Sequence, residues 1–369
     1  MKSVAISNTP IEQIQPSSFK NTESALEKIS TTNETHHALI NQQNQMRSAN
    51  DHEFSPLPYS LDQRGAIVPR LDNTVVAVSS GAIFDFSNDH KIAIEHGSEA
   101  YDKYQIEHED DILEKGEAFN LCEKMFAVNE QLKAIGSDLR FDVVITSKNT
   151  PDACMRALKS AEHYNLPINR TAFTNGASPY QYTKAFGTSL FLTTNAQDAK
   201  EAVNEGVPAA QILPSNQKEQ SSQLRVALDG DAVVFGDSSE KISFEKGLEG
   251  FYQHEQQNKN TPIEKGPLFP FLYRLSLLKK EFPKEKCPIR IAITTARAAP
   301  AAERLIKTLR NWGIEIDELH LLGGMNKGPF LEAFQADIFL DDNIKNAQQG
   351  SAHVVSGHVH FGINNQSKA

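Results

Sequence analysis

Short apolar runs alternate with segments of helical spacing along most of the chain. In the first half, apolar runs at 74–86, 141–147 and 188–194 predict buried strands, because each run is short and bounded by turn residues. Helical patterns lie between them at 116–136 and 151–165. Strands that alternate with helices in this way predict βα units and a mainly parallel sheet.

The second half repeats this scheme. Apolar runs at 224–230, 289–295 and 336–342 predict strands, and helical patterns occupy 266–282 and 300–313. Ser79-Ser80-Gly81 aligns with Asp229-Gly230-Asp231, and Thr146 aligns with Thr295. A spacing kept over many elements indicates two copies of one supersecondary plan. We therefore predict an α/β fold with a doubly wound, mainly parallel sheet, in which the first copy is degenerate because it lacks the charged residues of the second.

The domain boundaries follow from changes in pattern. Residues 1–70 are rich in Gln, Asn, Ser and Thr and have little apolar periodicity, so we predict a disordered polar tail with one short helix near 22–30. The degenerate copy is predicted over 71–222 and the catalytic half over 223–369. Within the catalytic half, about residues 238–288 are expected to form a cap insertion.

Composition narrows the class of protein. The chain of 369 residues has a net charge of −10, which argues against a nucleic-acid surface. No apolar run reaches the ~18 residues of a membrane helix, and the first residues lack the apolar core of a secretory signal. The three cysteines are far apart and odd in number, as is typical of reduced thiols. We therefore expect a cytoplasmic protein that binds neither membrane nor nucleic acid.

Charged and hydroxyl residues follow the predicted strands of the second half. Asp229 and Asp231 flank a glycine after the first strand, Thr295 ends the second, Lys327 precedes a helix, and Asp341-Asp342 ends the last strand. The carboxyl ends of parallel strands open on one edge of a sheet, so these residues are expected to converge there. Two neighbouring carboxylates repel unless a cation lies between them, which favours a magnesium-dependent phosphoryl-transfer site. A D-x-D alone also fits an ordinary acidic turn.

The order of these residues resembles the four motifs of the haloacid-dehalogenase-like phosphatases. The stretches DGDAVVF, TARAA, NKGPFLE and FLDD, with YQIEHE and FTNGASPYQYTKAF, are similar to the cytosolic type I 5′-nucleotidases over about residues 74–363. The resemblance implies a phosphoric monoester hydrolase that acts on nucleoside 5′-monophosphates, AMP among them. It implies nothing about the tail.

The resemblance also implies a role for each residue. Asp229 would be the nucleophile that forms a phospho-aspartate. Asp231 would protonate the leaving oxygen and then activate water. Thr295 would bind a phosphoryl oxygen, and Lys327 would neutralise charge. Mg²⁺ would be held by Asp341, Asp342, Asp229 and the backbone carbonyl of Asp231, and which of Asp341 and Asp342 contacts it stays open.

Candidates for substrate contacts are fewer. Phe173, Asn175 and Tyr180 lie in a broken loop that offers aromatic faces and amide groups for a nucleobase. Arg297, two residues after Thr295, could reach phosphate or form a surface ion pair. His254-Glu255, in the expected cap, is interpreted as an exposed polar pair.

Two rival functions stay open at this point. One is a phosphatase or phosphotransferase of the same superfamily acting on another small phosphate ester. The other is a non-catalytic nucleotide-binding regulator, which would not need the full set of charged residues. The first copy could also bind a nucleotide effector. Base preference, the role of the tail and assembly into a homo-oligomer are not determined by the sequence.

Overall fold

The computed structural model describes residues 59–61, 67–69, 73–215 and 221–366, with side chains from residue 73 onward. Strands β1 (Tyr59–Leu61) and β2 (Ile67–Pro69) pair antiparallel and fall at the end of the segment predicted as a polar tail. The helix predicted near 22–30 lies outside the described residues.

The first half contains five further strands and seven helices among the described residues. In chain order these are β3 (Thr74–Val78), α1 (Ser80–Ile83), α2 (Ser87–His96), α3 (Ser98–Glu107), α4 (Phe119–Ala134), β4 (Phe141–Ser147), α5 (Pro151–His163), β5 (Thr171–Phe173), α6 (Tyr180–Ala185), β6 (Leu190–Thr193), α7 (Ala196–Asn204) and β7 (Ala209–Ile212).

The second half contains five strands and five α-helices among the described residues. These are β8 (Leu224–Leu228), α8 (Ser238–Gln257), α9 (Phe269–Lys280), β9 (Ile289–Thr295), α10 (Ala302–Asn311), β10 (Glu318–Leu321), α11 (Gly328–Phe334), β11 (Ile338–Asp341), α12 (Ile344–Ser351) and β12 (Ser356–His358). A π-type turn spans Gly230–Val234, and 3₁₀ turns span Lys284–Lys286, Ala299–Ala301 and Ile363–Asn365.

Strands β3 to β12 form one ten-stranded sheet in the order β10-β9-β8-β11-β12-β7-β6-β3-β4-β5. Neighbouring strands are parallel except β12 and β7, which pair antiparallel. The prediction of a mainly parallel α/β fold is thus confirmed. Each half contributes five strands to this sheet, β3 to β7 and β8 to β12. When the five are numbered along the sequence and followed outward from the β7–β12 junction, both halves have the order fifth, fourth, first, second, third.

The predicted strand ends agree with the structure where the strand is long, with seven residues. Strands β4 and β9 match the predicted 141–147 and 289–295 residue for residue. The run 74–86 was predicted too long, since β3 ends at Val78 and Ser80–Ile83 forms a helical turn. Ala82, Ile83 and Phe84 are apolar because they are buried in the core, not because they continue the strand.

The segment predicted as a cap, about 238–288, divides into two helices of different character. Helix α8 bends at Gly247, whose φ of 68° favours glycine, and it exposes Phe244 and Leu248 to solvent near the bend. Helix α9 instead buries Phe271 and Leu272 in the core. Only α8 therefore has the exposure expected of a cap.

Strand pairing gives a register between the halves that differs by one residue from the sequence alignment. The pairing of β3 with β4 matches that of β8 with β9 when Ser147 is placed at the position of Thr295. The sequence alignment had placed Thr146 there. In the same way, the strands β6 and β11 match when Thr193 is placed at the position of Asp341. The strands of the two halves therefore correspond more closely in position than the sequence alignment alone indicated.

Gly116 and Gly266 occupy matching positions in the two halves and pack closely against the turns after β3 and β8. A Cβ on Gly116 would lie 2.7 Å from the Ala82 carbonyl oxygen, and one on Gly266 would lie 2.5 Å from that of Val233. Because backbone cannot yield easily, we expect Gly116→Ala and Gly266→Ala each to lower the free energy of unfolding by about 1–3 kcal/mol in urea denaturation. Glu130→Ala, on the exposed side of α4, is the control. An unchanged unfolding midpoint in either glycine variant would contradict this packing.

Candidate active site

The candidate site lies where the direction of the strand order changes in the second half. The chain leaves β8 toward β9 on one side, while β11 returns to pair on the other side. Such a switch point opens a crevice at the carboxyl ends of the two strands. Asp229 directly follows β8, and Asp341 is the last residue of β11. The fold therefore brings residues from distant parts of the sequence to one crevice.

Three carboxylates gather in this crevice. Oxygen atoms of Asp229, Asp341 and Asp342 lie within 4.8 Å of one another, and all three residues are buried. The set consists only of hard oxygen donors, which suits Mg²⁺. The residues present therefore fit a divalent cation.

Lys327 supplies the positive charge beside this cluster. Its Nζ atom lies 2.9 Å from Asp229 Oδ1 and 2.6 Å from Asp341 Oδ2, and its side chain is 2% exposed. Burial lowers the pKa of the ammonium group, but the two carboxylates outweigh this effect and raise it. Lys327 is thus held as a cation between the two strand ends, as the sequence predicted for its place.

The carboxylates are hard to ionise together in the absence of a cation. Burial, followed by the charge of Asp341, raises the pKa of Asp229 well above its ordinary value. Burial, followed by the charge of Glu240, raises the pKa of Asp342 to about 9. Asp341 also accepts a hydrogen bond from the Asn343 amide at 2.8 Å. A bound cation would favour the ionised forms that these groups otherwise resist.

Asp231 does not belong to this cluster of three carboxylates and pairs with Arg297. Arg297 donates from Nε to Asp231 Oδ2 at 2.8 Å and from Nη2 to Asp231 Oδ1 at 2.6 Å. This is a bidentate carboxylate–guanidinium pair. Of the two expectations for Arg297, an ion pair is therefore what the structure contains, but it is buried, with 1% of the side chain exposed.

Glu255 links the pair of Asp231 and Arg297 to further buried side chains. It accepts hydrogen bonds from Arg297, from Arg304 at 2.9 Å and from Ser239 at 2.8 Å. Glu255 is only 2% exposed, so its interpretation as an exposed polar residue was wrong. A glutamate on a polar helix gives no sequence signal of burial, because the arginines that neutralise it lie far along the chain.

Thr295 joins the strand ends of β8 and β9. A Cβ on Gly230 would lie 3.3 Å from Thr295 Oγ1, and the Arg297 amide donates to the same oxygen at 3.2 Å. Thr295 is 1% exposed. The predicted hydroxyl therefore lies beside the turn that carries Asp229 and Asp231.

Sequence reasoning missed two residues of the crevice. Asn364 donates to Asp342 Oδ2 at 2.9 Å and to Glu240 Oε1 at 2.7 Å, which joins the start of α8 to the cluster. Burial, followed by the charge of Asp231, raises the pKa of Glu240 to about 7. Neither residue belongs to a strand-end motif, so no pattern in the sequence marks them.

The other predicted substrate residues lie elsewhere. Phe173 ends β5, Asn175 is exposed in the following turn, and Tyr180 begins α6. Strand β5 is seven strands from β8 in the sheet, which is roughly 33 Å at ~4.8 Å per strand. The structure therefore does not bring these three residues to the aspartate cluster.

The fold and the site together define an α/β protein with an acidic crevice at a strand switch point. A 5′-nucleotidase family model matches residues 68–366. Cytosolic 5′-nucleotidase 1B from Homo sapiens is 37% identical over 287 residues, which cover 75% of this chain and 47% of the relative. The chain belongs to the 5′-nucleotidase family, and it spans about half the length of this curated relative. The resemblance noted from the motifs is confirmed.

Comparison with solved structures gives a more distant match. A chain in the structure of the Pnkp1/Rnl/Hen1 complex is 12% identical, with a TM-score of 0.28, over 79% of this chain and 97% of that chain. A likeness this weak supports no inference. Among the described residues, no helix combines the length and the apolar character needed to cross a membrane.

The raised carboxyl pKa values predict how magnesium and protons compete. The folded-state pKa is about 9 for Asp342 against an ordinary 3.8, and about 7 for Glu240 against 4.5. Because both are raised, protonation stabilises the metal-free fold fully below about pH 4 and progressively less up to about pH 9. With a chelator, the thermal unfolding midpoint should therefore fall from pH 5 to pH 9, by roughly a few degrees or more.

Added Mg²⁺ should raise the midpoint more at about pH 8 than at about pH 5.5, because protons and the cation occupy the same carboxylates. Asp342→Asn is the matched variant, and its magnesium-induced shift should be smaller at both values. A wild-type magnesium shift that does not change with pH would contradict this competition.

Proposed function

We propose that this chain is a magnesium-dependent 5′-nucleotidase that hydrolyses nucleoside 5′-monophosphates to nucleoside and phosphate. The observation that carries the proposal is the buried cluster of Asp229, Asp341 and Lys327 at the strand switch point. Membership of the 5′-nucleotidase family supports the substrate class. AMP as one of the substrates is an expectation from the resemblance, and a cytoplasmic location agrees with the name of the relative, cytosolic 5′-nucleotidase 1B.

The first step would transfer the phosphoryl group to Asp229. The Gly230 amide and Lys327 both donate to Asp229 Oδ1, at 2.6 and 2.9 Å, which leaves Oδ2 to attack phosphorus. As the new O–P bond forms, the bond from phosphorus to O5′ breaks, and Asp231 gives its proton to O5′. Thr295 would bind a phosphoryl oxygen, and Lys327 would neutralise charge on the transferred group.

The second step would release phosphate. Asp231, now ionised, would take a proton from a water molecule, whose oxygen attacks phosphorus. The bond from phosphorus to Asp229 then breaks, which regenerates both carboxyl groups in their starting states. Nucleoside and inorganic phosphate are the two products.

The carboxylates divide between the cation and the lysine. Lys327 donates to Asp341 Oδ2 and the Asn343 amide to Oδ1, so Asp341 is already engaged in holding the lysine. We assign direct metal contact to Asp342 and Asp229 and to the backbone carbonyl of Asp231, with Asp341 as the residue that orients Lys327. When bound, Mg²⁺ would offset the negative charge of phosphate and carboxylates.

The first half is proposed to be a copy of the second that has lost its charges. At matching positions it has Ser79 for Asp229, Gly81 for Asp231 and Thr193 for Asp341. The shared strand order supports the duplication. Under this proposal residues 71–222 support or regulate the catalytic half at 223–369, and α8 is the cap.

Rival functions differ in what they release and bind. A related phosphatase would release phosphate mainly from esters that are not nucleotides, and a phosphotransferase would pass the phosphoryl group to an alcohol instead of water. A regulator would bind nucleotide without phosphate release. The complete pairing of Lys327 with two carboxylates favours a catalytic site over a purely binding one.

Replacing the nucleophile gives the direct test. Asp229→Asn should lower phosphate release from nucleoside 5′-monophosphates by roughly three orders of magnitude or more, because the amide cannot attack phosphorus. Ser79→Ala, the matching change in the first half, should leave the rate unchanged. Release by the wild type should require Mg²⁺ and stop with a chelator. Wild-type release from simple phosphate esters but not from nucleotides would reject the substrate class.

A cavity in the first half favours a second ligand. It has a volume of about 670 Å³ and lies beside Gly81 and Thr194, which follow β3 and β6. Lys115, His90 and Asn120 also line it. This volume is within the usual range for small-molecule sites. We propose that a nucleotide binds there as an effector, with Lys115 as the cation nearest to its phosphate.

Stoichiometry of binding tests the effector site in the full chain. With Asp229→Asn as an inactive background, equilibrium dialysis should find two AMP molecules bound per chain. Adding Asn120→Trp should reduce the number to one, because the indole would fill part of the cavity. Adding Glu130→Trp on the exposed side of α4 should leave it at two. One AMP per chain in all three proteins would contradict the effector site.

A further inference from the structure

Two arginine and two carboxylate side chains are linked by hydrogen bonds in a buried series that ends at Asp231. Arg304 donates to Glu255, Glu255 accepts from Arg297, and Arg297 holds both oxygens of Asp231. The arginine side chains are 1% and 6% exposed and that of Glu255 is 2% exposed, so water screens these charges little. Formal charges cancel within the four groups once Asp231 has given up its proton. The side chain of Asp231, at 17% exposure, is the member that reaches the crevice.

The first half contains a counterpart of Arg304 and its carboxylate, but no counterpart of the pair of Arg297 and Asp231. Arg156 pairs with Asp89, and Arg156 Nε donates to the Asp111 carbonyl at 2.9 Å, as Arg304 Nε donates to the Thr261 carbonyl at 2.9 Å. In both halves, then, one arginine after the second strand is neutralised by a carboxylate of the helical segment after the first.

At the position of Arg297 the first half has Asn149, which donates to Ser80 at 2.9 Å, and at the position of Asp231 it has Gly81. The pair of Arg297 and Asp231 is thus an addition confined to the half with the aspartate cluster. Packing of the helices does not require the pair, since the first half lacks it. The difference between the halves therefore favours a role of the Arg297–Asp231 pair in the reaction over a purely structural role.

We propose that Arg297, held in place by Glu255, is the positioning residue for proton transfer by Asp231. This rests on the proposed function, in which Asp231 protonates the leaving O5′. As the proton leaves, negative charge develops on the Asp231 carboxylate, and the guanidinium already aimed at both oxygens stabilises that charge. Glu255 and the Ala301 carbonyl accept from Nη1, the nitrogen of Arg297 that does not face Asp231, so the guanidinium is held from behind and does not turn toward the phosphate.

The proposal predicts that the effect of losing Arg297 depends on the leaving group. Two substrates of the same shape are compared: AMP, and its 5′-phosphorothiolate, in which sulfur replaces the bridging oxygen. An alkoxide leaves poorly without a proton, whereas a thiolate leaves readily. Arg297→Gln should lower kcat/KM for AMP by roughly 10²-fold and kcat/KM for the phosphorothiolate by less than about 3-fold, because kcat/KM reports the step in which the leaving group departs and not the shared hydrolysis of the phospho-aspartate. Arg297→Lys, which keeps the charge but not the bidentate geometry, should fall between.

Glu255→Gln and Asp89→Asn form a matched pair of controls. Each removes a carboxylate from a buried arginine, and both should lower the thermal unfolding midpoint. Only Glu255→Gln should change the ratio of the two rates, because only Glu255 is linked to Asp231. An unchanged ratio of the two rates in Glu255→Gln would overturn the role of Glu255 in holding Arg297.

Asp231→Asn separates failure of this inference from failure of the proposed function. A selective loss on AMP in Asp231→Asn, with equal losses on both substrates in Arg297→Gln, overturns the role of Arg297 alone. Equal losses of kcat/KM on both substrates in Asp231→Asn show that Asp231 is not the acid, which overturns both; kcat is not used for this comparison, because Asp231 also activates water in the second step, which the two substrates share. No phosphate release by the wild type from either substrate rejects the proposed function and the role of Arg297 with it.

Discussion

The structure of the second half depends on placing several carboxylates in one buried crevice. Like charges in a region of low dielectric repel strongly, and burial alone already penalises each ionised group. Lys327 relieves part of this repulsion by lying between Asp229 and Asp341. The remaining negative charge makes the crevice suited to a divalent cation, which would in turn offset the negative charge of a phosphate bound beside the carboxylates.

Much of the fold and part of the site could be predicted from the sequence. Strands β4 and β9 were predicted without error because they are long, with seven residues, and have buried residues on both faces. Strands β6 and β11 have only four residues but were predicted because they are wholly buried. Strands β5 and β10 are partly exposed edge strands, and β7 and β12 consist mostly of small or polar residues, so none of these four has an apolar run that marks it in the sequence. The residues at strand ends were found because parallel strands fix their convergence. Glu255 and Asn364 were not, since their contacts arise only from tertiary packing.

The two halves differ in how they balance buried charge. Each has an arginine after its second strand, and each neutralises it with one carboxylate: Asp89 for Arg156, Glu255 for Arg304. Gln105, at the position of Glu255, donates to Asp89 at 2.7 Å, so the acid has exchanged places with a neutral partner. A buried arginine left without a carboxylate would be strongly unfavourable, which accounts for such a pair in both halves.

That balance constrains what can change near Asp231. If Arg297 were lost, Asp231 would face the other carboxylates of the crevice without a partner, and Glu255 would serve one arginine instead of two. If Asp231 were lost, Arg297 would remain buried with Glu255 shared between two cations. The two residues are therefore expected to be present or absent together, as they are in the two halves of this chain, where Gly81 and Asn149 replace both. Glu255 of α8, Arg297 and Asp231 thus form a single electrostatic unit.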